Sequence, residues 1–255
     1  MIDIHTHLLN GVDDGSRDFS ESLENFRRAE KAGFTDIILT PHYIEGYYEN
    51  DYESTRPKIQ ELKQKLYDQN VLVTIHQGNE VYVSENIGSL IKNNVVSKLG
   101  ESRYLLFELP MKSKLLTLDN LIMDIKEAGC IPVLAHPERY IYIQQNPNEV
   151  ARLISKGVLI QSNFGSIIGQ YGKEANKTLI KLLKNNMVHF LGSDTHRNGH
   201  IYTNFEKIRK ELLKHISERK LMELTTTNAM HILEDELIAV KEPTLIKKKW
   251  FSAKY

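Results

Sequence analysis

Nine histidine, aspartate and glutamate residues are spread along this chain so that most of them follow directly after a short apolar run. Imidazole nitrogens and carboxylate oxygens are the ligands that divalent metals take in hydrolytic centres, where several strand ends deliver them to one place. A centre of this kind activates water for attack on an ester. The nine candidates are His5, His7, Asp14, His42, Glu80, Glu108, His136, Asp194 and His196.

These candidates can meet only if the strands that carry them end at the same edge of the fold. The sequence supplies alternating strand-like and helix-like segments. A parallel sheet covered by helices is the arrangement that such alternation favours, and seven strands in one chain predict a barrel or near-barrel of the α/β class. Helices are predicted over 18–33, 52–69 and 116–127. The predicted strands are 2–4, 36–42, 71–80, 103–108, 131–136, 158–163 and 187–192.

The positions of the candidates carry more weight than any single motif. Ten histidines in this chain produce roughly 0.4 His-x-His pairs by chance, and a lone histidine at a strand end is more often structural. A buried glutamate such as Glu80 or Glu108 is harder to explain without a partner, because an unpaired carboxylate in an apolar strand is costly. Six of the seven predicted strands end in such a ligand, which predicts a metal centre at the carboxyl ends.

Composition narrows the classes of protein to which this chain can belong. Apolar residues make up 41% of the 255 residues and charged residues 26%, with Lys+Arg and Asp+Glu equal at 33 each. That balance gives no basic surface for nucleic acid, and we expect no nucleic-acid partner. We also expect no signal peptide and no membrane span, and the single Cys130 fits a cytoplasmic protein without an internal disulfide.

One domain is predicted over 1–245, followed by a basic, aromatic tail over 246–255 that is either a frayed terminus or a docking or membrane-surface segment.

Several motifs resemble one known family in this order along nearly the whole chain. The chain is similar to the PHP (polymerase and histidinol phosphatase) superfamily, and within it to the manganese-dependent bacterial tyrosine phosphatases of capsule and exopolysaccharide loci, the CpsB/YwqE type. The motifs are Met1-Ile-Asp-Ile-His-Thr-His7, Gly11-Val-Asp-Asp-Gly15, Thr40-Pro-His42, Gly78-Asn-Glu80, Ala135-His-Pro-Glu-Arg139 and Gly192-Ser-Asp-Thr-His196.

The resemblance implies a single-domain distorted (β/α)7 barrel with three divalent ions, manganese first, with iron or zinc as alternatives. By this resemblance the first ion is held by His5, His7, Glu80 and Asp194. Glu80 bridges to a second ion that Glu108 and His136 also hold. The third ion takes Asp14, His42 and His196.

The expected chemistry is hydrolysis of a phosphoric monoester by direct attack of metal-activated hydroxide, without a covalent phosphoenzyme. Arg139 matches the family arginine that engages substrate phosphate. A second family arginine has no counterpart at its expected offset, and Arg197 or His200 is the candidate replacement. Asn163 and Ser166 are further candidates for substrate contact, although a plain strand-to-helix loop explains them equally well. The thiol mechanism of other tyrosine phosphatases is excluded, because it needs an arginine separated from the cysteine by five residues, and the residue at that position after Cys130 is His136.

The resemblance implies a bacterial tyrosine kinase with a tyrosine-rich C-terminal tail as partner, and a role in polysaccharide export. Two alternatives stay open at this point. The first is a small-molecule phosphoesterase of the histidinol-phosphatase type. The second is a module that binds metal or a partner without catalysis.

Overall fold

The computed structural model describes residues 1–197 and 200–247. The strands in these ranges are β1 (Ile2–Thr6), β2 (Asp36–Leu39), β3 (His42–Ile44), β4 (Tyr48–Glu49), β5 (Thr74–Gln77), β6 (Glu80–Tyr82), β7 (Tyr104–Glu108), β8 (Ile131–Leu134), β9 (Leu159–Asn163) and β10 (Phe190–Gly192). The helices are α1 (Phe19–Lys31), α2 (Tyr52–Asp68), α3 (Ile87–Lys92), α4 (Leu118–Glu127), α5 (Ile141–Gln145), α6 (Asn148–Ser155), α7 (Phe164–Ile167), α8 (Lys173–Lys184), α9 (His200–Thr203), α10 (Phe205–Leu212), α11 (Glu218–Met222) and α12 (Asn228–Leu233). A 3₁₀ turn covers Pro137–Arg139 and a π-helical segment covers Glu223–Thr227.

The strands form seven parallel units of the barrel, called staves here. β3 continues β2 and β6 continues β5 after short breaks, so the staves are β1, β2 with β3, β5 with β6, β7, β8, β9 and β10. One sheet runs β1-β2-β5, and the other runs β10-β9-β8-β7-β6-β3 with β4 as an antiparallel edge strand. Between β10 and β1 the ladder is reduced to one bridge, Thr6 to Thr195, and to hydrogen bonds from Asp194 N to His5 O and from His7 N to Thr195 O, both 2.9 Å. The predicted distorted (β/α)7 barrel is therefore confirmed, with its seam between the first and last staves.

The second and third staves are interrupted at positions that the sequence analysis did not predict. Both were expected to end at their ligands, but β2 stops at Leu39 and β5 at Gln77, and His42 and Glu80 each begin a new strand. These two residues pair directly in the register of β3 and β6. Pro41 supplies no N–H to a ladder, which accounts for the interruption of the second stave. The two ligands are thus set side by side by strand pairing.

Alternation along the strands divides the core into an inner and an outer layer. On β7, Leu105 and Phe107 belong to the cluster under the helices, whereas Tyr104 and Leu106 belong to the smaller cluster inside the barrel. Glu108 shares the parity of Tyr104 and Leu106, so its carboxylate points to the inside at the carboxyl end of the strand. The pattern that builds the core thus also aims this ligand.

The ends of the chain add little to the barrel itself. Of the predicted tail, residues 248–255 lie outside the described residues, while Ile246 exchanges two hydrogen bonds with the side chain of Asn148 on α6, at 2.9 and 3.0 Å. The division into a domain over 1–245 and a tail over 246–255 stays a prediction. Among the described residues, none of the helices is long and apolar enough to cross a bilayer.

Candidate metal centre

All nine predicted ligands converge at the carboxyl ends of the staves. The ligand atoms of eight of them fall into three overlapping groups, in each of which all ligand atoms lie within 4.8 Å of one another. The groups are His5, His7, Glu80 and Asp194; His42, Glu80 and Glu108; and His7, Asp14, His42 and His196. The first group matches the set predicted for the first ion. His136, predicted with the second group, lies with Nε2 2.8 Å from Glu80 Oε1 and 3.9 Å from Glu108 Oε2.

Glu80 is the central ligand of the site. Its Oε2 atom lies 3.2 Å from His5 Nε2, 3.3 Å from His7 Nε2 and 3.1 Å from His42 Nδ1. Its Oε1 atom faces His136. A carboxylate whose two oxygens face different sets of ligands has the arrangement of a bridge between two ions.

The two imidazoles of the opening motif face each other in a way that calls for a cation. His5 Nδ1 lies 3.0 Å from Gln161 Oε1 and His7 Nδ1 lies 2.7 Å from Asp13 Oδ2, both of which accept hydrogen bonds, so each Nδ1 carries the proton. The two Nε2 atoms are then only 3.3 Å apart. Two lone pairs at this separation repel unless a positive charge lies between them. A proton on one ring supplies that charge in the metal-free protein, and a divalent ion supplies it when it displaces the proton.

Two buried polar atoms without hydrogen bonds also indicate a bound cation. His42 Nδ1 and Glu80 Oε2 are buried and close together, yet neither atom makes a hydrogen bond with any of the described residues. Leaving such atoms unpaired in the interior costs about 1–3 kcal/mol each. The donor set present therefore fits divalent ions bound by nitrogen and oxygen.

The electrostatics of the cluster point in the same direction. Burial lowers the pKa of His5, but the Glu80 and Asp194 carboxylates outweigh it and raise that pKa to about 9. For His42, burial is outweighed by Glu80 and Glu108, and the pKa rises to about 10. The pKa of Glu80 stays well below its usual range despite burial, because His5 and His42 lie beside it. The Glu80 carboxylate thus stays ionised, and His5 and His42 retain positive charge in the interior.

The third group lies at the outer edge of the centre. Asp14 Oδ1 is 3.3 Å from His196 Nε2 and 3.6 Å from His42 Nε2, and the His7 and His196 rings stack with centroids 4.0 Å apart. A hydrogen bond from His196, with the nearby imidazoles, lowers the pKa of Asp14 to about 2. Asp14 is exposed and His196 is partly exposed, so this part of the centre faces the open cavity.

Two of the ligands have a strained backbone conformation. His136 and Asp194 both have positive φ, 35° and 51°, which residues other than glycine seldom adopt and which costs about 1–3 kcal/mol each. At Gly15 the chain has room only for glycine, because a Cβ atom there would lie 2.0 Å from the carbonyl oxygen of His7. The chain therefore bends sharply at three points to bring its ligands together.

Three polar residues that support the ligands were not predicted from the sequence. Asp13 and Gln161 orient His7 and His5, as described above. The buried Glu138 accepts hydrogen bonds from the Asn163 N–H (2.8 Å) and the Ser166 hydroxyl (2.7 Å). Asp13 had a signal in the sequence, since it stands beside Asp14 in Gly11-Val-Asp-Asp-Gly15. Gln161 had none, because the predicted strand 158–163 that carries it ends in none of the nine candidates.

A cavity of about 600 Å³ opens beside the centre. It is lined by Arg139, Asp194 and His196 together with Arg197 and His200, two of the predicted substrate contacts. Arg197 is exposed, and its Nε donates to the carbonyl oxygens of Asp14 and Gly15 at 3.1 and 3.3 Å.

Asn163 and Ser166 are placed differently. Both are fully buried, and the Asn163 amide donates to Asp194 Oδ2 at 2.6 Å while Ser166 bonds Glu138. They support the ligands from behind the cavity wall. Direct contact of either residue with a substrate stays a prediction.

The fold and the site define a distorted α/β barrel whose clustered histidine and carboxylate side chains can bind metal ions. The chain belongs to the CpsB/CapC family of capsular polysaccharide synthesis, whose model matches residues 1–234. CapC from Staphylococcus aureus is 34% identical over 259 residues, covering 98% of this chain and 99% of CapC. The tyrosine-protein phosphatase YwqE from Bacillus subtilis (strain 168) is 30% identical over 253 residues, covering 98% of each chain.

Solved structures agree with this assignment. A crystal structure from work on YwqE of Bacillus subtilis and CpsB of Streptococcus pneumoniae, described as unique metal-dependent tyrosine phosphatases, superposes with a TM-score of 0.90 at 30% identity. The match covers 97% of this chain and 100% of that one. The phosphotriesterase homology protein from Escherichia coli superposes with a TM-score of 0.57 at 10% identity over 90% of this chain and 97% of that one, a likeness of fold alone.

Proposed function

We propose that this protein is a metal-dependent protein-tyrosine phosphatase that removes phosphate from phosphotyrosine on a bacterial tyrosine kinase. The relatives at 34% and 30% identity over nearly the whole chain belong to capsule and tyrosine-phosphatase families. The observation that carries the proposal is the placement of Arg139 in one cavity with the ligands Asp14, Asp194 and His196. A phosphoryl group there meets a planar guanidinium fork on one side and the metal ligands on the other.

The residues fit the following division of labour. His5, His7, Glu80 and Asp194 would hold one ion, Glu80, Glu108 and His136 a second, and Asp14, His42 and His196 a third. When bound, such ions activate water and neutralise charge on phosphate oxygens. Arg139 binds and orients the phosphate. We assign the ions as three Mn²⁺, with iron or zinc as alternatives.

A tyrosyl leaving group suits this site. Phenol has a pKa near 10, so its oxygen leaves with less need of a proton than an alkyl alcohol does. The single thiol does not compete for the role of nucleophile. Cys130 precedes β8, at the end of the barrel opposite the centre, and burial raises the pKa of its thiol.

The test compares substrates with manganese present. Purified protein should hydrolyse a phosphotyrosyl peptide taken from a tyrosine-rich kinase tail, and His136→Ala should abolish that activity while leaving the fold intact. Turnover of histidinol phosphate higher by about a hundredfold or more would instead establish the small-molecule phosphoesterase. Retention of wild-type activity by His136→Ala would show that the metal centre is not the catalyst.

The number and identity of the ions need a separate measurement. Elemental analysis of protein purified without added metal should give three ions per chain, with activity recovered by Mn²⁺ after chelation. Full occupancy and activity with a single ion per chain would contradict the trinuclear assignment. We also propose a cytoplasmic location, where a tyrosine kinase tail is accessible; fractionation of cells that express the tagged chain tests it.

A further inference from the structure

Arg139 is held from two sides by groups that have different chemistry. Its Nη1 donates to Asp194 Oδ2 at 2.7 Å. The centre of its guanidinium lies 4.5 Å from the centroid of the Tyr171 ring, in a cation–π contact. Among the described residues, Asp194 is the one hydrogen-bond acceptor of this guanidinium, so its other N–H donors stay available to a ligand in the cavity.

Tyr171 also contacts Asp194 directly. Its hydroxyl donates to the same Oδ2 atom at 3.3 Å, and Asn163 donates to that oxygen as well. The other oxygen, Oδ1, faces His5 Nε2 and His7 Nε2 at 3.5 and 3.6 Å. Asp194 thus turns one oxygen to the metal ligands and the other to a set of three donors.

Tyr171 lies in the short connection between α7 and α8, where it lines the cavity. Two glycines with positive φ, Gly169 (80°) and Gly172 (91°), flank it and let the chain turn sharply on both sides. The connection is therefore shaped to present this ring to the arginine.

We propose that Tyr171 is a positioning residue for phosphate binding, which fixes the guanidinium of Arg139 through its ring and Asp194 through its hydroxyl. An arginine with a single anchor keeps much of its side-chain freedom and loses it only when phosphate binds. The ring face removes that freedom beforehand, so the fork meets phosphate in its binding orientation. This proposal rests on the proposed function, in which Arg139 binds the phosphoryl group of the substrate.

The experiment measures binding of inorganic phosphate to the manganese-loaded protein by calorimetry, which needs no turnover. Tyr171→Leu should weaken phosphate binding by about tenfold and Tyr171→Phe, which keeps the ring, by about threefold. Tyr142→Leu removes a ring that stacks on Tyr140 and does not contact Arg139; it should leave the dissociation constant within about twofold of the wild-type value.

A double-mutant cycle decides whether Tyr171 acts through Arg139. In an Arg139→Ala background, Tyr171→Leu should weaken phosphate binding by no more than the roughly threefold that loss of the hydroxyl contact with Asp194 explains. An equal loss with and without Arg139, or wild-type affinity in Tyr171→Leu, overturns the proposal. If Tyr171→Leu loses its fold or its metal, the same cycle with Tyr171→Met, which also removes the ring but keeps a long apolar side chain, decides in its place. A wild-type protein that binds phosphate but does not hydrolyse phosphotyrosine would contradict the proposed function and not the role of Tyr171.

Discussion

The carboxylate of Asp13 lies 2.7 Å from Nδ1 of His7, and neither side chain is exposed to solvent. The same carboxylate accepts hydrogen bonds from the backbone N–H groups of His42 and Gly15, at 3.0 and 2.9 Å. It therefore orients one predicted ligand by its ring and another by its backbone. Carboxylates in this position fix the tautomer of a ligand histidine and increase its basicity.

Replacing Asp13 by asparagine should weaken metal binding by about 10- to 100-fold, because the variant cannot accept all three hydrogen bonds. Competition with a fluorescent chelator measures the change. Asp36→Asn is the matched control, since Asp36 pairs with His76 at 3.0 Å away from the centre. Equal metal affinity in Asp13→Asn and wild type would refute the orienting role.

Metal affinity should rise with pH across the neutral range. A bound ion needs neutral imidazoles, but the neighbouring carboxylates raise the pKa of His5 to about 9 and of His42 to about 10 in the metal-free protein. Both rings therefore hold protons at pH 7 that the ion must displace, and the affinity should increase until the pH exceeds these values. Calorimetry in two buffers of different ionisation enthalpy counts the released protons. Binding without proton release from pH 6.5 to 9 would contradict this.

Arg139→Lys should lower kcat/KM for an aryl phosphate by roughly a hundredfold, because an ammonium cannot make a forked contact with phosphate. Steady-state kinetics with manganese measure it. Arg152→Lys on α6 is the control arginine, which pairs with Asp119 at 2.6 Å and Glu149 at 3.3 Å. A loss below about threefold in Arg139→Lys would remove this residue from phosphate binding.

His189 should make the fold sensitive to acid. Its Nδ1 accepts the Ile160 N–H at 3.0 Å, and burial, with the charge of Lys220, lowers its pKa from 6.5 to about 4. The unfolded chain therefore binds this proton first as the pH falls. Stability should be lost between about pH 6.5 and 4, by up to about 3 kcal/mol from this group.

Denaturant unfolding at pH 7 and pH 4.5 tests this, with a chelator present so that metal loss does not contribute. In His189→Gln the drop in unfolding free energy between the two pH values should be smaller than in wild type by about 2–3 kcal/mol. The same drop in both proteins would show that His189 does not cause the acid sensitivity.

Local patterns explain how much of the fold could be predicted. The helix predicted over 18–33 corresponds to α1, Phe19–Lys31, and the carboxylate of Asp18 caps it by accepting the Glu21 N–H at 3.0 Å. The stretch 52–69 corresponds to α2, Tyr52–Asp68. Caps and apolar runs act within a few residues, so they are legible without the rest of the chain. Pro41 is a local signal for the break before His42, but the pairing of His42 with Glu80 at the start of two new strands was missed, because it joins staves far apart in the sequence.

The sequence by itself determined which groups reach the centre, since each ligand follows an apolar run whose carboxyl end must lie at one rim of a parallel barrel. Only the tertiary structure decided how they face one another. Ile2 and Ile4 point inside the barrel, so alternation alone would aim Thr6 rather than His5 at the centre. The register of β1 with β2 shifts between Asp3 and Thr6, and His5 meets Gln161 on β9, two strands away.

The same holds for the phosphate side of the site. Arg139 was recognisable from its motif, but its contacts with Asp194 and Tyr171 join segments that meet only when the barrel closes. Strand alternation is a local property of the backbone, whereas the orientation of a side chain at the rim depends on partners more than thirty residues away. That difference in range separates what the sequence determined from what the folded chain decided.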